Sequence, residues 1–246
     1  MKLSNRLRFI LVNTSRAGNF GAAARALKNM GFSNLYLVSK LKSDINKDPE
    51  AISFASGAND ILDKAQIVNS LEDALVDCNY TIAVSARKRE LSPLIYTPRE
   101  ISQLLYFESK INIAFIFGNE QSGLPNEIVN RCNALIKIPS NPDYSSLNLS
   151  QAVQIIAYEC KLANDITLKS YSKDINELAT TIEIESMFLH LEEALSKIEF
   201  LDNKTSTKLI PKIRRLFNRV LLEKDEVNII RGISSKIIKM LVKPKL

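Results

Sequence analysis

The chain has 246 residues, of which 46% are hydrophobic and 24% charged, which is typical of a soluble globular protein with room for one large domain and a smaller one. No apolar run approaches the length of a membrane span, and the basic N-terminus is followed by only a short apolar stretch, so neither membrane insertion nor export is expected. The net charge of +6 points to an anionic partner.

Six short apolar runs read as β-strands and are separated by helical patterns or loops. They are RFILV (8–12), NLYLV (34–38), QIV (66–68), YTIAVSA (80–86), INIAFIFG (111–118) and ALIKIP (134–139). This alternation predicts an α/β fold with a mostly parallel sheet covered on both faces. Helix starts are marked by Asp48-Pro49-Glu50 and by a capping box in Thr97-Pro98-Arg99-Glu100.

The pattern changes after Ala163, so we divide the chain into an α/β domain (1–163), a polar linker (164–185) and a helical extension (186–246) with three apolar periodic stretches. The extension contains 13 Lys and Arg against 7 Asp and Glu, whereas residues 1–185 contain 20 of each. This basic excess favours a nucleic acid or another anionic partner, although a solvated basic face would have the same composition.

One helical stretch of the extension, TKLIPKIRRLFNRVLL, is the candidate RNA contact. Its basic residues recur at intervals of 4, 3 and 4 and flank an apolar stripe of Leu209, Ile213, Leu216 and Val220. We predict that these basic residues contact RNA phosphates: Lys208, Lys212, Arg215 and Arg219.

The cysteines and the histidine do not indicate a metal or nucleophile site. Cys78, Cys132 and Cys160 are widely spaced, lie in apolar contexts and form no C-x-x-C pair, which fits reduced thiols in the cytoplasm. His190 lies in a helical pattern, so a core or surface role is expected. We therefore predict a cytoplasmic protein without a metal site.

Three polar segments each follow a predicted strand. They are NTSRAGNFGAAARALKNMGF (13–32), FGNEQSGLP (117–125) and NPDYSSLNLSQAV (141–153). Because the carboxyl ends of parallel strands share one edge of a sheet, we expect the three segments to form one ligand pocket. In the first segment, Asn19 and Arg25 lie less than two helical turns apart, so both could reach a ligand in this pocket. The alternative is that Asn19 only caps the helix and that Arg25 is solvated.

Several familiar catalytic motifs are absent from the sequence. It contains no G-x-x-x-x-G-K-[ST], so a P-loop is excluded, and no G-x-S-x-G nucleophile elbow. No G-x-G-x-x-G follows the first strand, which argues against a Rossmann dinucleotide site and against the glycine-rich loop of the common methyltransferase fold.

The three polar segments carry a resemblance. NTSRAGNFGAAARALKNMG, IAFIFGNEQSGLPNEIV and IPSNPDYSSLNLSQAVQIIAYE resemble, in order, the three motifs of the SPOUT (TrmH-type) RNA 2'-O-ribose methyltransferases. VSARKRELS (84–92) and KIRRLFNR with EVNIIRGI are similar to segments of that superfamily's bacterial tRNA (cytidine/uridine-2'-O-)-methyltransferases. The resemblance implies a C-terminal trefoil knot in the α/β domain, a homodimer, and methylation of tRNA, at a cytidine or uridine in position 32 of the anticodon loop.

The resemblance also assigns residues. S-adenosylmethionine would bind to Val84, Ser85, Ala86, Gly118, Ile138, Ser145, Ser146 and Leu147, where Val84 replaces the usual Thr. The catalytic and ribose-binding group would be Asn19, Arg25, Glu120, Ser146 and Asn148. Since an arginine stays protonated in proteins, we favour Arg25 as a ligand for phosphate and for the developing oxyanion over Arg25 as a base. The sequence leaves two candidates for the final proton acceptor, a phosphate and Arg25.

Two other functions remain open on the sequence. A methyltransferase for ribosomal RNA would keep the catalytic group and differ in the extension. A non-catalytic RNA-binding paralogue would keep the fold and the basic extension but lose the catalytic group.

Overall fold

The computed structural model describes residues 3–39, 44–87, 89, 92–107, 111–165, 177–201 and 206–242. In these ranges one sheet of seven parallel strands has the order β3-β2-β1-β6-β4-β7-β5. The strands are β1 (Leu7–Val12), β2 (Leu35–Val38), β3 (Gln66–Val68), β4 (Tyr80–Val84), β5 (Leu94–Tyr96), β6 (Ile113–Phe117) and β7 (Ala134–Ile136). The predicted parallel α/β fold is confirmed.

Helices cover both faces of the sheet. One face carries α2 (Ala17–Met30), α3 (Pro49–Ala55), α4 (Asn59–Lys64), α6 (Pro98–Phe107) and α8 (Leu149–Asp165). The other face carries α5 (Leu71–Ala74) and α7 (Asn126–Arg131), while α1 (Leu3–Arg6) precedes β1 and a 3₁₀ turn spans Ile45–Lys47. Because both faces are buried, the strands read as continuous apolar runs rather than as alternating ones.

Local sequence signals start several helices as predicted. The side chain of Asp48 accepts a hydrogen bond from the Glu50 amide at 2.8 Å and caps α3. The capping box before α6 is also present, since the Thr97 amide donates to Glu100 Oε2 at 2.7 Å and the Glu100 amide donates to Thr97 Oγ1 at 3.3 Å. A side chain at Gly21 would lie 2.0 Å from the Ala51 carbonyl oxygen, so the small residue lets α2 pack closely on α3.

The sequence analysis missed β5. This strand has three residues, pairs only with β7 at the edge of the sheet, and exposes Leu94 by 38% and Ile95 by 56%. It therefore has neither the length nor the burial that produces an apolar strand signal. Two predicted strands also end early, because β4 ends at Val84 and β7 at Ile136, which leaves the residues that follow them free to form loops.

The helical extension consists of α9 (Thr181–Lys197), α10 (Ser206–Phe217) and α11 (Lys224–Val242). Its small core includes Met187, Phe188 and Val227. Helix α9 begins inside the predicted linker, where Thr180 and Glu183 form a capping box. Residues 166–176, the middle of that linker, lie outside the described ranges. None of the described helices is both long and apolar enough to cross a membrane.

Polar contacts join the extension to the α/β domain. The Thr181 amide donates to the Cys78 carbonyl at 2.9 Å, and Asn218 Nδ2 donates to the Cys132 carbonyl at 2.9 Å. The Glu185 carboxylate pairs with Arg214 at 2.6 Å and with Arg131 at 3.5 Å. The extension is thus attached to the face of the sheet that carries α5 and α7. The predicted knot in the α/β domain concerns the threading of the chain and stays a prediction.

Candidate active site

The sheet order brings the three polar segments together. Strand β6 lies between β1 and β4, with Phe117 opposite both Leu11 and Val84. The third polar segment follows β7, which pairs with β4 on the other side. The loops that follow β1, β6, β4 and β7 therefore emerge side by side at the carboxyl edge of the sheet, where open α/β folds bind ligands.

A cleft of about 320 Å³ opens at this edge. It is lined by all eight residues predicted to bind the cofactor: Val84, Ser85, Ala86, Gly118, Ile138, Ser145, Ser146 and Leu147. Leu149 and Ala152 of α8 add to its apolar wall, while Arg87 and residues 119–123 add polar groups. An apolar pocket with a few polar groups is the usual form of a small-molecule site.

A tight turn forms one wall of the cleft. The Gly123 amide donates to the Asn119 carbonyl at 2.7 Å, and the Asn119 side chain accepts from the Gln121 amide at 2.8 Å. A Cβ atom at Gly118 would lie 2.2 Å from the Gly123 carbonyl carbon, so only glycine fits there. Asn119 Nδ2 also donates to the Asn13 carbonyl at 2.6 Å, and Asn13 has a left-handed φ of 53°. This contact joins the turn to the end of β1.

The Glu120 carboxylate is the centre of the hydrogen-bond network beside the cleft. Its Oε1 accepts from Thr14 Oγ1 at 2.5 Å and from Asn19 Nδ2 at 2.7 Å. Its Oε2 accepts from the amide and the hydroxyl of Ser15, both at 2.9 Å. Partial burial alone raises the pKa of Glu120, but the hydrogen bonds from Thr14, Asn19 and Ser15 outweigh it and lower the pKa to about 2. Glu120 is therefore an ionised brace between loops and not a proton donor near neutral pH.

The network continues into the third segment. Asn148 Nδ2 donates to Asn19 Oδ1 at 3.0 Å, while Asn148 Oδ1 accepts from the Ser150 amide at 2.9 Å at the start of α8. Asn19 does not cap α2, because the residue at the cap position is Arg16 and Asn19 uses its side chain on Glu120 and Asn148. The capping alternative for Asn19 is thus wrong. All three polar segments meet in one chain of hydrogen bonds.

Arg25 lies apart from this network. It is exposed and lines an open groove between α2 and α8, together with Asn29, Gln151 and Gln154. Leu147 lines both this groove and the cleft, so the two are neighbours. Ser146 lines the cleft itself and is exposed. Among the described residues, Arg25 has no hydrogen bond or ion pair, which leaves its guanidinium available to an anionic ligand.

The sequence analysis did not single out three polar residues that organise this site. Thr14 and Ser15 lie two and three residues after the end of β1 and donate hydrogen bonds to Glu120. Arg89 donates to Ser85 Oγ at 2.9 Å, to the Leu124 carbonyl at 2.8 Å and to Asn126 Oδ1 at 2.8 Å. The only signal for them in the sequence is that Thr14 and Ser15 lie in the first polar segment and that Arg89 lies in VSARKRELS (84–92). Except for Ser85, their acceptors are 35 to 106 residues away.

The predicted basic stripe is only partly helical. Lys212 and Arg215 are exposed on α10, whereas Arg219 is exposed in the turn after that helix ends at Phe217. The side chain of Lys208 lies outside the described part of the structure. The apolar stripe differs from the prediction, because Leu216 is 64% exposed and Val220 is 54% exposed. Phe217 packs instead against the core of the extension, as does Ile213.

The thiols take no part in this site. Cys78, Cys132 and Cys160 are buried and free, and burial raises the pKa of Cys78 to about 11 and of the other two to about 12. These thiols stay protonated near neutral pH and are poor nucleophiles. The described residues contain no cluster of three or more His, Cys, Asp or Glu side chains that could bind a metal ion.

Comparison with known proteins identifies the family. Residues 6–158, which include the whole cleft, match the model of the SpoU rRNA Methylase family. The chain belongs to the SpoU methylase family. Residues 182–245 match a second model, described as the C-terminal domain of the tRNA methyltransferase TrmJ. The extension is therefore a known companion of this methylase domain.

Relatives match over nearly the full chain. The tRNA (cytidine/uridine/adenosine-2'-O-)-methyltransferase TrmJ of Pseudomonas aeruginosa (strain UCBPP-PA14) is 41% identical over 93% of this chain and 92% of its own. The tRNA (cytidine/uridine-2'-O-)-methyltransferase TrmJ of Pectobacterium atrosepticum is 40% identical over 94% and 96%. The crystal structure of TrmJ from Z. mobilis ZM4 superposes with a TM-score of 0.80 at 30% identity, over 94% of this chain and 98% of that one.

A further neighbour matches only part of this chain. The structure described as "Structural insights into the 2-OH methylation of C/U34 on tRNA" has a TM-score of 0.50 at 25% identity. It covers 63% of this chain but 93% of its own.

Proposed function

We propose that this SpoU methylase transfers the methyl group of S-adenosylmethionine to a ribose 2'-hydroxyl of a cytidine or uridine in tRNA. One observation carries the proposal: the cleft that contains all eight predicted cofactor residues lies beside the Glu120–Asn19–Asn148 network, in a chain that aligns with TrmJ methyltransferases over nearly its full length. A tRNA substrate would place the reaction in the cytoplasm.

The cleft fits such a cofactor. Val84, Ile138 and Leu147 offer apolar surface for a flat base, and the glycine at 118 leaves backbone accessible at the wall. Ser145 and Ser146 bring hydroxyls to the same loop. When bound, S-adenosylmethionine would supply an activated methyl group, so the protein has chiefly to orient the acceptor ribose and to stabilise its 2'-oxygen as the hydroxyl proton passes to a phosphate oxygen of the RNA or to water.

The chain's own residues divide this work. Ser146 and Asn148 would orient the ribose, because Ser146 lines the cleft and Asn148 is held by Asn19 and Ser150. Asn19 and Glu120 would act through them by bracing the three loops, since Glu120 binds Thr14, Ser15 and Asn19 at once. A preorganised hydrogen-bond network of this kind lowers the cost of reorganisation during reaction.

Arg25 would bind a phosphate next to the reacting ribose and stabilise the developing 2'-oxyanion. Its exposed side chain lines the groove beside the cleft, and Leu147 connects the two. A guanidinium binds phosphate in a bidentate fork and stays protonated, so it serves as an electrostatic partner rather than as a base.

We favour tRNA over ribosomal RNA because residues 182–245 match the C-terminal domain of TrmJ. The exposed cations Lys212, Arg215 and Arg219 of this extension would contact tRNA phosphates. We propose position 32 of the anticodon loop as the target, and position 34 is the competing site because a structural neighbour is described as acting there. The intact Glu120–Asn19–Asn148 network argues against a non-catalytic paralogue.

The protein would act as a homodimer. Large apolar side chains are exposed on the extension: Leu216 at 64%, Val220 at 54%, Ile229 at 62% and Ile233 at 52%. Apolar surface of this kind is usually covered by a protein partner. Sedimentation velocity of the purified chain tests the proposal, which a monomer at micromolar concentration would contradict.

The proposed function is tested in two steps. Titration calorimetry with S-adenosylmethionine should show saturable binding to the purified protein, together with a rise in melting temperature by mass action. Mapping of 2'-O-methyl groups in tRNA after incubation with the enzyme should then show one new modification at position 32. Methylation of ribosomal RNA alone would overturn the tRNA assignment, and absence of cofactor binding would overturn the site.

A further inference from the structure

Arg89 is the described side chain that joins two walls of the cleft without lining it. Its Nη1 donates to Ser85 Oγ at 2.9 Å, so it holds the loop after β4. Its Nη2 donates to the Leu124 carbonyl at 2.8 Å, and its Nε donates to Asn126 Oδ1 at 2.8 Å, so it also holds the segment between β6 and α7. Arg89 is half-buried and is absent from the residues that line the cleft.

The geometry of these contacts requires an arginine. Three nitrogens of one planar group each reach a different acceptor, and two of the acceptors lie 35 and 37 residues away in the chain. A lysine has the charge but not the rigid fork, so it cannot reproduce the three contacts together. Because the Arg89 guanidinium is partly withdrawn from water, its pKa is lowered, and repulsion from Arg87 adds to this effect.

Ser85 is the point at which this brace reaches the cofactor cleft. The Ser85 amide donates to the Ile136 carbonyl at 3.1 Å, which anchors the backbone of the loop to β7. Its hydroxyl also accepts from the Arg87 amide at 3.3 Å, so the hydroxyl lies within a turn that exposes Ala86 and Arg87 to the cleft. Without Arg89, nothing else in these contacts joins this turn to the Leu124–Asn126 segment behind the glycine turn.

We propose that Arg89 is a positioning residue for the methyl-donor site, which fixes the Ser85–Arg87 loop against the Leu124–Asn126 segment and so sets the width of the cleft for the cofactor. The proposal rests on the proposed function, because it assigns this cleft to S-adenosylmethionine. It predicts that Arg89 contributes to cofactor affinity and not to the chemical step.

The test compares Arg89→Met, Arg89→Lys and Asn126→Ala with the wild-type enzyme. We expect Arg89→Met to raise the Kd of S-adenosylmethionine by about 10- to 100-fold, the effect of losing hydrogen bonds made by a charged group. Arg89→Lys should recover part of this loss, and Asn126→Ala, which removes one acceptor from an exposed side chain, should show a smaller increase. At saturating cofactor and tRNA, kcat should stay within about threefold of wild type, because only binding is affected.

A matched control is Arg99→Met. Arg99 is an exposed arginine that pairs with Glu159 at 3.1 Å on α6, away from the cleft, so its loss should leave the Kd unchanged. An Arg89→Met protein that melts lower but binds the cofactor with wild-type affinity would reduce Arg89 to a stabilising residue and overturn the proposal. A collapse of kcat with unchanged Kd would also overturn it, because Arg89 would then act in the reaction itself.

The wild-type protein separates this proposal from the proposed function. If the wild-type enzyme fails to bind S-adenosylmethionine, the assignment of the cleft is wrong. If the wild-type enzyme binds and methylates tRNA while Arg89→Met does both equally well, only the role of Arg89 is wrong. If Arg89→Met does not fold, Asn126→Ala still tests the proposal, because the Asn126 side chain is exposed and its loss should leave the fold intact while removing one contact of Arg89.

Discussion

Replacement of Glu120 by glutamine tests the network that joins the three loops. The carboxylate accepts hydrogen bonds from Thr14, Ser15 and Asn19, and an amide in its place would have one acceptor oxygen and would present N–H donors to N–H donors. Glu120→Gln keeps the size of the side chain, so the variant isolates the loss of charge and of acceptors.

The size of the effect follows from the pKa. A decrease from 4.5 to about 2 corresponds to about 3 kcal/mol of stabilisation for a fully buried carboxylate. Glu120 is only partly buried, so solvent screening reduces this to about 1 to 2 kcal/mol. For a chain of this size, such a loss lowers the melting temperature by about 2 to 8 °C.

The pH dependence gives a sharper test than the size alone. Because the pKa of Glu120 is lower in the folded state, its stabilisation is fully present above pH 4.5 and is lost as the pH falls toward 2. The stability gap between wild type and Glu120→Gln should therefore close over that window. Denaturant unfolding at several pH values from 7 to 2.5 measures the gap.

The control is Glu127→Gln, which replaces an exposed glutamate on α7 that has no hydrogen bond or ion pair within the described chain. It should unfold like wild type at every pH. A Glu120→Gln protein as stable as wild type at pH 7, or a gap of equal size at pH 7 and pH 3, would refute the interpretation of Glu120 as an ionised brace.

Three further predictions concern packing, chemistry and RNA binding. Gly118→Ala should destabilise the turn and weaken cofactor binding in calorimetry, because the added Cβ atom would lie 2.2 Å from the Gly123 carbonyl carbon. In the control, Gly232→Ala on α11, the added Cβ atom has no neighbour within 4 Å, so this variant should be tolerated. Arg25→Ala should keep cofactor affinity but lose about 100- to 1000-fold in the rate of single-turnover methyl transfer, and Arg25→Lys should recover little of that rate because an ammonium lacks the bidentate fork. Higher pH should partly restore the rate of the alanine variant, whereas a wild-type rate would remove Arg25 from the catalytic group. Changing Lys212, Arg215 and Arg219 together to glutamine should weaken tRNA binding and reduce the slope of log Kd against log salt concentration by about 2 to 3. The same change at Lys28, Lys47 and Lys64 should leave both the affinity and the slope unchanged. Equal slopes in the two triple variants would show that the predicted basic stripe is only a solvated face.

Much of the site could be predicted from the sequence because its signals are local. Asp48 and Glu100 mark helix starts through side chains that bond within three residues, and this is visible in the sequence. The glycine at 118 and the serines at 145 and 146 follow apolar strands, so their place at one sheet edge follows from parallel topology. The motif resemblance then linked these residues to a methyl donor.

Other features depend on contacts that the sequence pattern does not encode. Glu120 meets Thr14 and Asn19 only because β6 inserts beside β1, which brings together residues more than 100 positions apart. The three-residue strand β5 gains its conformation from pairing with β7 and not from its own pattern.

What the sequence alone determined is therefore the fold class, two helix caps, the helical extension and, through the family motifs, eight of the residues that line the cleft, since each of these signals is local in the chain. Only the tertiary structure decided that Asn19 joins Glu120 while Arg25 faces a separate groove, that Leu216 is exposed although it belongs to an apolar stripe, and that Arg89 joins two walls of the cleft. The physical reason is that periodicity specifies which face of an element is apolar, whereas the partner of a polar group or of an apolar face is set by how distant elements pack.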